Sequence, residues 1–407
     1  MTITDSTVEK RLAEQAQRSS NYGERARDLI PLLRAGAEQT EKDRRLVETS
    51  ARAMLDAGLL HACAPGRVGG GGGAARSLIE VVSELSRGES SAGWVAMIAN
   101  MTAWTMGLLP DDARDAVYGP DPHAVSISQF GAGGKGVQVD GGYRISGRWP
   151  FASGSFHAQW TISGFLVVDE DGIPQEIRWA LMPIEDMEIE DTWYVTGMAG
   201  TGSNTLVGND LFVPESWTLT ADAFAGRRFP AWHDDETSYR SSVSSIACLG
   251  LAAPLLGMAE AIWDLTVESM NKGRAISNWG YDDVRDSWGW RSALAEARSS
   301  IDTGRLLLFR GASDLDLAAE EGRVLDNTQR ARLKSDQALS TSHFRNAVEN
   351  LMDINGTRSF ALSNPLQRIW RDFGTASRHG LNNGPLNREA YALSVTGLDM
   401  QQYANVL

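Results

Sequence analysis

Apolar and polar positions along this chain repeat with two different periods, and the change of period divides it into three. Residues 24–60 place apolar side chains at helical spacing with charges between them. The run Gly69 to Gly73 ends that pattern, and five successive glycines, with nothing to pack, predict a flexible loop. Helical spacing returns over 74–109, and Pro110-Asp111-Asp112 opens a further short helix.

From about residue 122 to 218 the period shortens to two. Alternating runs occupy 123–130, 136–151, 158–168, 177–184 and 204–214, with Gly141-Gly142 as a hairpin signal. Short strands at this spacing predict a compact β-barrel or sandwich. From about 240 onward the spacing is helical again, over 246–270, 293–320 and 326–354, each with an apolar stripe that suits an antiparallel bundle. The expectation is an α+β protein: helical domain 1–121, small β-barrel domain 122–220, helical bundle 221–407. A core of that size is within reach of 407 residues at 42% hydrophobic content.

Composition narrows the function classes. A formal charge of −14 argues against nucleic acid, which binds through clustered lysine and arginine. The polar, acidic N-terminus does not read as a signal peptide, and the apolar stretch Ile246 to Trp263 carries Glu260 and reads as a buried helix, not a membrane span. Cys63 and Cys248 are the only cysteines, so neither a disulfide framework nor a metal cluster is expected, and a reducing, cytoplasmic setting fits. No Walker or Rossmann glycine motif is present, because the five-glycine run lacks both a preceding strand and a following Lys-Ser/Thr.

Three stretches carry a resemblance: Tyr143 to Gly154 (YRISGRWPFASG), Asp191 to Ser216 with its Gly-Thr-Gly-Ser turn and closing Val-Pro-Glu, and Asn364 to His379 (NPLQRIWRDFGTASRH). Together, and in this order, they resemble the oxygenase components of two-component flavin-dependent monooxygenases built on the acyl-CoA dehydrogenase fold. Para-hydroxyphenylacetate hydroxylase, secosteroid hydroxylase and dibenzothiophene monooxygenase belong to that group. The dehydrogenases themselves carry a glutamate in a Tyr-Glu-Gly-Thr stretch. Here the comparable stretch is Ser377 to Tyr391, and its nearest carboxylate, Glu389, lies beyond the expected position.

The resemblance implies reduced flavin (FADH2 or FMNH2) and O2 as cofactors, delivered through a separate NAD(P)H flavin reductase, and a homotetramer. It implies a flavin C4a-hydroperoxide that attacks an aromatic or polycyclic substrate. His379 would serve the peroxide and substrate end, since an imidazole holds or passes a proton near neutrality. Ser153 would hydrogen-bond the flavin near N5, with Ala152 and Gly154 letting the backbone approach the ring. Trp94 would flank the ring, and Ser128, Gln129 and Phe130 would line its pyrimidine side. Arg274 would bind the phosphate across a subunit interface, with Gly356 and Thr357 nearby. Trp149 reads as core or cofactor wall, and His157 as a weaker candidate. Arg368, Arg371 and Asp372 read as structural, the last two as a pair fixing the helix that leads to His379.

Trp104, Phe224, Phe229 and Trp232 either wall an apolar substrate pocket or pack the domain junction. An N- or S-oxygenase of the same fold, an acyl-CoA dehydrogenase and a non-catalytic flavin-fold module are the alternatives. The first differs only in its nucleophile; the second lacks its glutamate here; the third would have no use for Ser153 and His379.

Overall fold

A computed structural model describes residues 3–226, 233 and 235–398. Phe229 and Trp232 lie outside the described residues. Six helices come first: α1 (Ile3–Asp28), α2 (Ile30–Asp43), α3 (Glu48–Asp56), α4 (Ala75–Gly88), α5 (Ser90–Met106) and α6 (Asp111–Tyr118). Seven strands follow: β1 (Ser126–Val139), β2 (Gly142–Ala152), β3 (Trp160–Val168), β4 (Pro174–Pro183), β5 (Glu188–Glu190), β6 (Asn204–Pro214) and β7 (Thr218–Thr220). The chain then returns to helix in α7 (Ala221–Phe224), α8 (Val243–Asn271), α9 (Trp288–Glu320), α10 (Asn327–Asn355), α11 (Pro365–Ala376) and α12 (Gly384–Val395).

The strands form one mixed sheet in the order β5-β6-β2-β1-β3-β4-β7, with β1 and β3 parallel and the other pairs antiparallel. Its own small core holds Ile127, Tyr143, Ile145, Trp149, Phe165 and Leu206. The glycine-rich stretch 131–136, which separates two alternating runs in the sequence, lies inside β1. Register shifts between Gln129 and Gly134 bend the strand there. Glycine is required because the Trp149 ring lies on this bend: a Cβ on Gly134 would fall 2.5 Å from it. Trp149 is thus core, with its indole N–H donating to Gly164 O at 2.7 Å.

The long apolar helix α8 is the axis of the C-terminal bundle. Its most apolar stretch is long enough to cross a bilayer but is entirely buried, packed by α4 and α5 on one side and by α9, α10 and α11 on the other. Glu260 accepts from Arg298 at 2.8 and 2.9 Å, which pairs the charge that a buried helix could not carry alone. A capping box between Asp326 and Gln329 starts α10.

The five-glycine run is a close-packed loop, a departure from the flexible loop its composition predicts. The rings of Tyr22 and Tyr239 come so near Gly71 and Gly73 that a Cβ on either would sit under 3 Å away. Tyr239 is itself fixed by donating to Cys63 O at 3.2 Å. Close approach, not mobility, is what these glycines provide.

Candidate active site

Three elements far apart in sequence meet at one end of α5. Glu89 caps that helix, its carboxylate accepting from Ala92 N at 2.6 Å. The first turns of α5 then carry Trp94 into a buried position, 8% exposed. Its indole N–H donates to Ser153 Oγ at 3.2 Å, and its ring lies 5.9 Å from the His379 ring, centre to centre. The sequence-predicted residues Trp94, Ser153 and His379 therefore form one cluster.

Ser153 follows β2 at a sharp turn. Phe151 takes a positive φ of 63° and Gly154 one of 82°; the first is uncommon for an aromatic residue. Ala152 is wholly buried, and Gly154 stands against Val95 and Ile127. Ile127 leads into Ser128, Gln129 and Phe130 on β1, so these predicted residues adjoin the same turn. Gln129 Oε1 accepts from Thr161 and Ser163, each at 2.8 Å. Its Nε2 is buried with no partner among the described residues. Such a donor suits an acceptor-rich heterocycle, which is what the pyrimidine edge of a flavin offers.

His379 lies just beyond α11, in a turn held by amides. Asn382 Nδ2 donates to Ala376 O at 3.2 Å, Gln337 donates to Asn382, and Asn387 donates to Gln337 at 2.8 Å. Leu381 N donates to His379 Nδ1 at 3.3 Å. In the neutral ring the proton is then on Nε2, which is free to donate. One side of the residue is exposed, while protein atoms crowding the ring disfavour its charged form and push its pKa down. A cleft of about 390 Å³ opens beside it, lined by Arg345, Arg378 and Arg388.

Two buried acids brace the cluster. Asp372 accepts from Met198 N at 2.5 Å and from Ser90, and burial pushes its pKa up to about 6. Burial, and then Asp372 itself, push Glu89 up to about 7. Arg371 and Asp372 do not pair with each other, contrary to expectation. Arg371 bonds Glu41 at 2.6 Å and Thr196 O, so the two side chains clasp the 196–198 segment from different sides. Both are structural. Arg368 is a nearby positive charge on Glu89.

The predicted phosphate residues form a separate group. Arg274 donates to Ile354 O at 2.9 Å, two residues before Gly356 and three before Thr357. Asn382, beside His379, reaches α8 at Leu251 O, whereas Arg274 follows the last residue of α8, Asn271. Twenty residues of helix separate these levels by about 30 Å.

Phe224 stacks on Trp179 at 3.7 Å and meets Phe130 edge-on at 5.0 Å, giving an aromatic wall beside the Ser128–Phe130 strand. Trp104 is core rather than pocket: it is 0% exposed and donates to Ser238 O at 3.2 Å. His157 packs near Leu46 and Glu48, away from this cluster. Glu389 is exposed on α12. Sequence reasoning missed Trp179, Thr201 and Ser203. The last two stand in the Gly-Thr-Gly-Ser turn, where their hydroxyls join Ser153.

Comparison with known proteins gives the family. The acyl-CoA dehydrogenase C-terminal domain family matches residues 249–383. The flavin-dependent monooxygenase oxygenase subunit HsaA of Rhodococcus jostii is 30% identical over 91% of this chain and 96% of its own. The oxygenase component of the FADH2-dependent resorcinol hydroxylase of a Rhizobium strain is 32% identical over 87% and 89%. The chain belongs to this family of flavin-dependent monooxygenase oxygenase components. XiaF from Streptomyces, solved with FADH2 and glycerol, superposes with a TM-score of 0.89 at 32% identity, covering 96% of this chain and 98% of that one.

Proposed function

We propose that this oxygenase component hydroxylates a small aromatic compound, using reduced flavin and O2, in the space between Ser153, His379 and the Phe130–Phe224–Trp179 wall. The observation that carries this reading is the convergence of Trp94 on Ser153 and His379. The overall change is that an aromatic C–H becomes C–OH, the second oxygen atom leaves as water, and the reduced flavin gives up two electrons. The flavin, when bound, supplies those electrons and activates O2.

The chain's own residues do the rest. Ser153 would hold the flavin edge, Gly154 would admit the ring, and Ser128 and Gln129 would line its pyrimidine side. Trp94 closes the inner face against water, which would waste the activated oxygen. His379, neutral with its proton on Nε2, would hold and pass a proton at the substrate side of the site. The aromatic wall supports an aromatic substrate, and the relatives named for resorcinol and for indole-3-acetate point the same way.

Arg274, Gly356 and Thr357 serve the phosphate end of a flavin seated mainly in a neighbouring subunit. The spacing of the two groups along α8, about 30 Å over twenty helical residues, supports that division. So do Trp279 and Trp288, which stand 72% and 74% exposed in the segment around Arg274 and suit a contact with a second copy. A homotetramer in the cytoplasm, supplied with FADH2 or FMNH2 from a separate NAD(P)H-dependent reductase, completes the reading. Its test is an anaerobic titration with each reduced flavin, followed by aerobic turnover on a panel of phenols and indoles. Tight binding of a reduced flavin and a hydroxylated product are expected; no binding of either flavin would overturn it.

A further inference from the structure

Behind Ser153 runs a chain of hydroxyl groups whose direction can be worked out by counting protons. Trp94 Nε1 can only donate, so Ser153 Oγ accepts from it. Thr201 Oγ1 donates to Met198 O at 2.8 Å, and a carbonyl can only accept. Thr201 has one hydroxyl proton, so in its 2.6 Å contact with Ser203 the serine is the donor. Ser203 has then spent its own proton, so in the 2.6 Å contact between Ser153 and Ser203 the donor is Ser153. This is the only assignment in which all four contacts are hydrogen bonds at once: Trp94 to Ser153 to Ser203 to Thr201 to Met198 O.

All four groups are buried, so water does not compete for the contacts. Met198 is fixed in turn by Asp372, which anchors the far end of the chain on α11. Ser153 is left with no free proton and one unused lone pair.

We propose that this polarity makes Ser153 a hydrogen-bond acceptor toward the flavin, so that the site favours reduced over oxidised flavin, with Thr201 and Ser203 as positioning residues. The inference rests on the function proposed above. A reduced flavin carries a hydrogen on N5 and can donate to that lone pair. An oxidised flavin offers a lone pair at N5, which faces the Ser153 lone pair and gains nothing. To donate to it, Ser153 would have to abandon Ser203 and leave a buried acceptor unmet. Such a site takes up its cofactor reduced and lets it go oxidised, as a component fed through a separate reductase requires.

The test compares dissociation constants for oxidised and anaerobically reduced flavin in the wild type and in Ser203→Ala, Thr201→Val and Thr201→Ser. Ser203→Ala removes the acceptor and frees the Ser153 proton for oxidised N5. The ratio of oxidised to reduced dissociation constants should fall about five- to tenfold, the worth of one hydrogen bond. A tenfold fall appears independently as a shift of about 30 mV in the bound two-electron potential. Thr201→Val should lower the ratio less, and Thr201→Ser should keep the wild-type value. Should Ser203→Ala fail to fold, the Thr201 pair carries the same comparison. An unchanged ratio in the folded Ser203→Ala or Thr201→Val protein, with wild type binding reduced flavin, overturns this inference alone. A wild type that binds no flavin overturns the proposed function with it.

Discussion

Ser153 and Arg274 sit in surroundings of opposite kind. Around Ser153 the polar groups are bonded to one another: Trp94, Ser203 and Thr201 are satisfied, and Asp372 and Glu89 brace them from below. Around Arg274 the guanidinium bonds Ile354 O, the carbonyl accepts from Val284 N, and a glycine turn at Gly356 and exposed tryptophans stand nearby. The first region is organised before any ligand arrives; the second is half-buried and open. A reactive end needs fixed geometry within a few tenths of an ångström, whereas a phosphate end needs charge and access. On the proposed reading, the difference means that one subunit prepares the chemistry and a neighbour completes the binding.

The strongest way to break this contrast is His379→Ala. If the closed region carries the chemistry, hydroxylated product per turnover should fall on the order of 100-fold while reduced flavin still binds, as removing a proton-transfer group does. Product analysis against flavin consumed would check it. Equal loss of binding would place His379 in the flavin seat and not in catalysis.

Arg274→Ala sharpens the other side. It should weaken reduced-flavin binding about tenfold or more, the scale of a lost charge-assisted hydrogen bond, with the melting temperature nearly unchanged. Calorimetric titration reads both. Co-assembling Arg274→Ala chains with Ser153→Ala chains should give more activity than the average of the two parent proteins, because intact halves then meet across the proposed interface.

The acids beneath Trp94 give a pH signature. Glu89 and Asp372 are raised to about 7 and about 6 in the folded chain. Raised carboxyls bind their protons more tightly folded than unfolded. Their contribution to stability is full below about pH 4 and is lost as pH climbs through 6 and 7. Each is worth up to about 1.4 kcal/mol per pH unit over that span. In Glu89→Gln part of the slope should vanish, measured by denaturation at several pH values between 4 and 8. An unaltered slope would mean that the pair does not titrate there. His379 runs the other way, its depressed pKa leaving it neutral at working pH and charged only on acidification.

The smallest effect is expected from Trp104→Phe. It should cost about 1–2 kcal/mol of stability for the bond to Ser238 O and leave flavin affinity alone. A large loss of substrate affinity would return Trp104 to the pocket.

What the sequence made legible follows the same division. Alternation placed strands β2, β3, β4 and β6, and helical spacing placed the long helices of the bundle. It misjudged the Gly69–Gly73 run and passed over the glycines of β1, since only the tyrosines over Gly71 and Gly73 and the Trp149 ring on Gly134 reveal them as packing surfaces. Motif resemblance brought Trp94, Ser153 and His379 onto one page, and the fold brings them together. The spacing of the His379 and Arg274 groups along α8 was invisible, because a motif carries no distance. So were the hydroxyl chain through Thr201 and Ser203 and the separate partners of Arg371 and Asp372, for each depends on how the 196–203 turn meets two other elements. Trp179 showed only as one more strand residue until Phe224 stacked on it.

The most direct test is to mix the anaerobic complex of this protein and reduced flavin with oxygenated buffer and follow absorbance by stopped flow. The account predicts two phases, with a transient that precedes the oxidised-flavin band and is shortened in Ser153→Ala. Oxidation in a single phase, at the rate of free flavin, would contradict it.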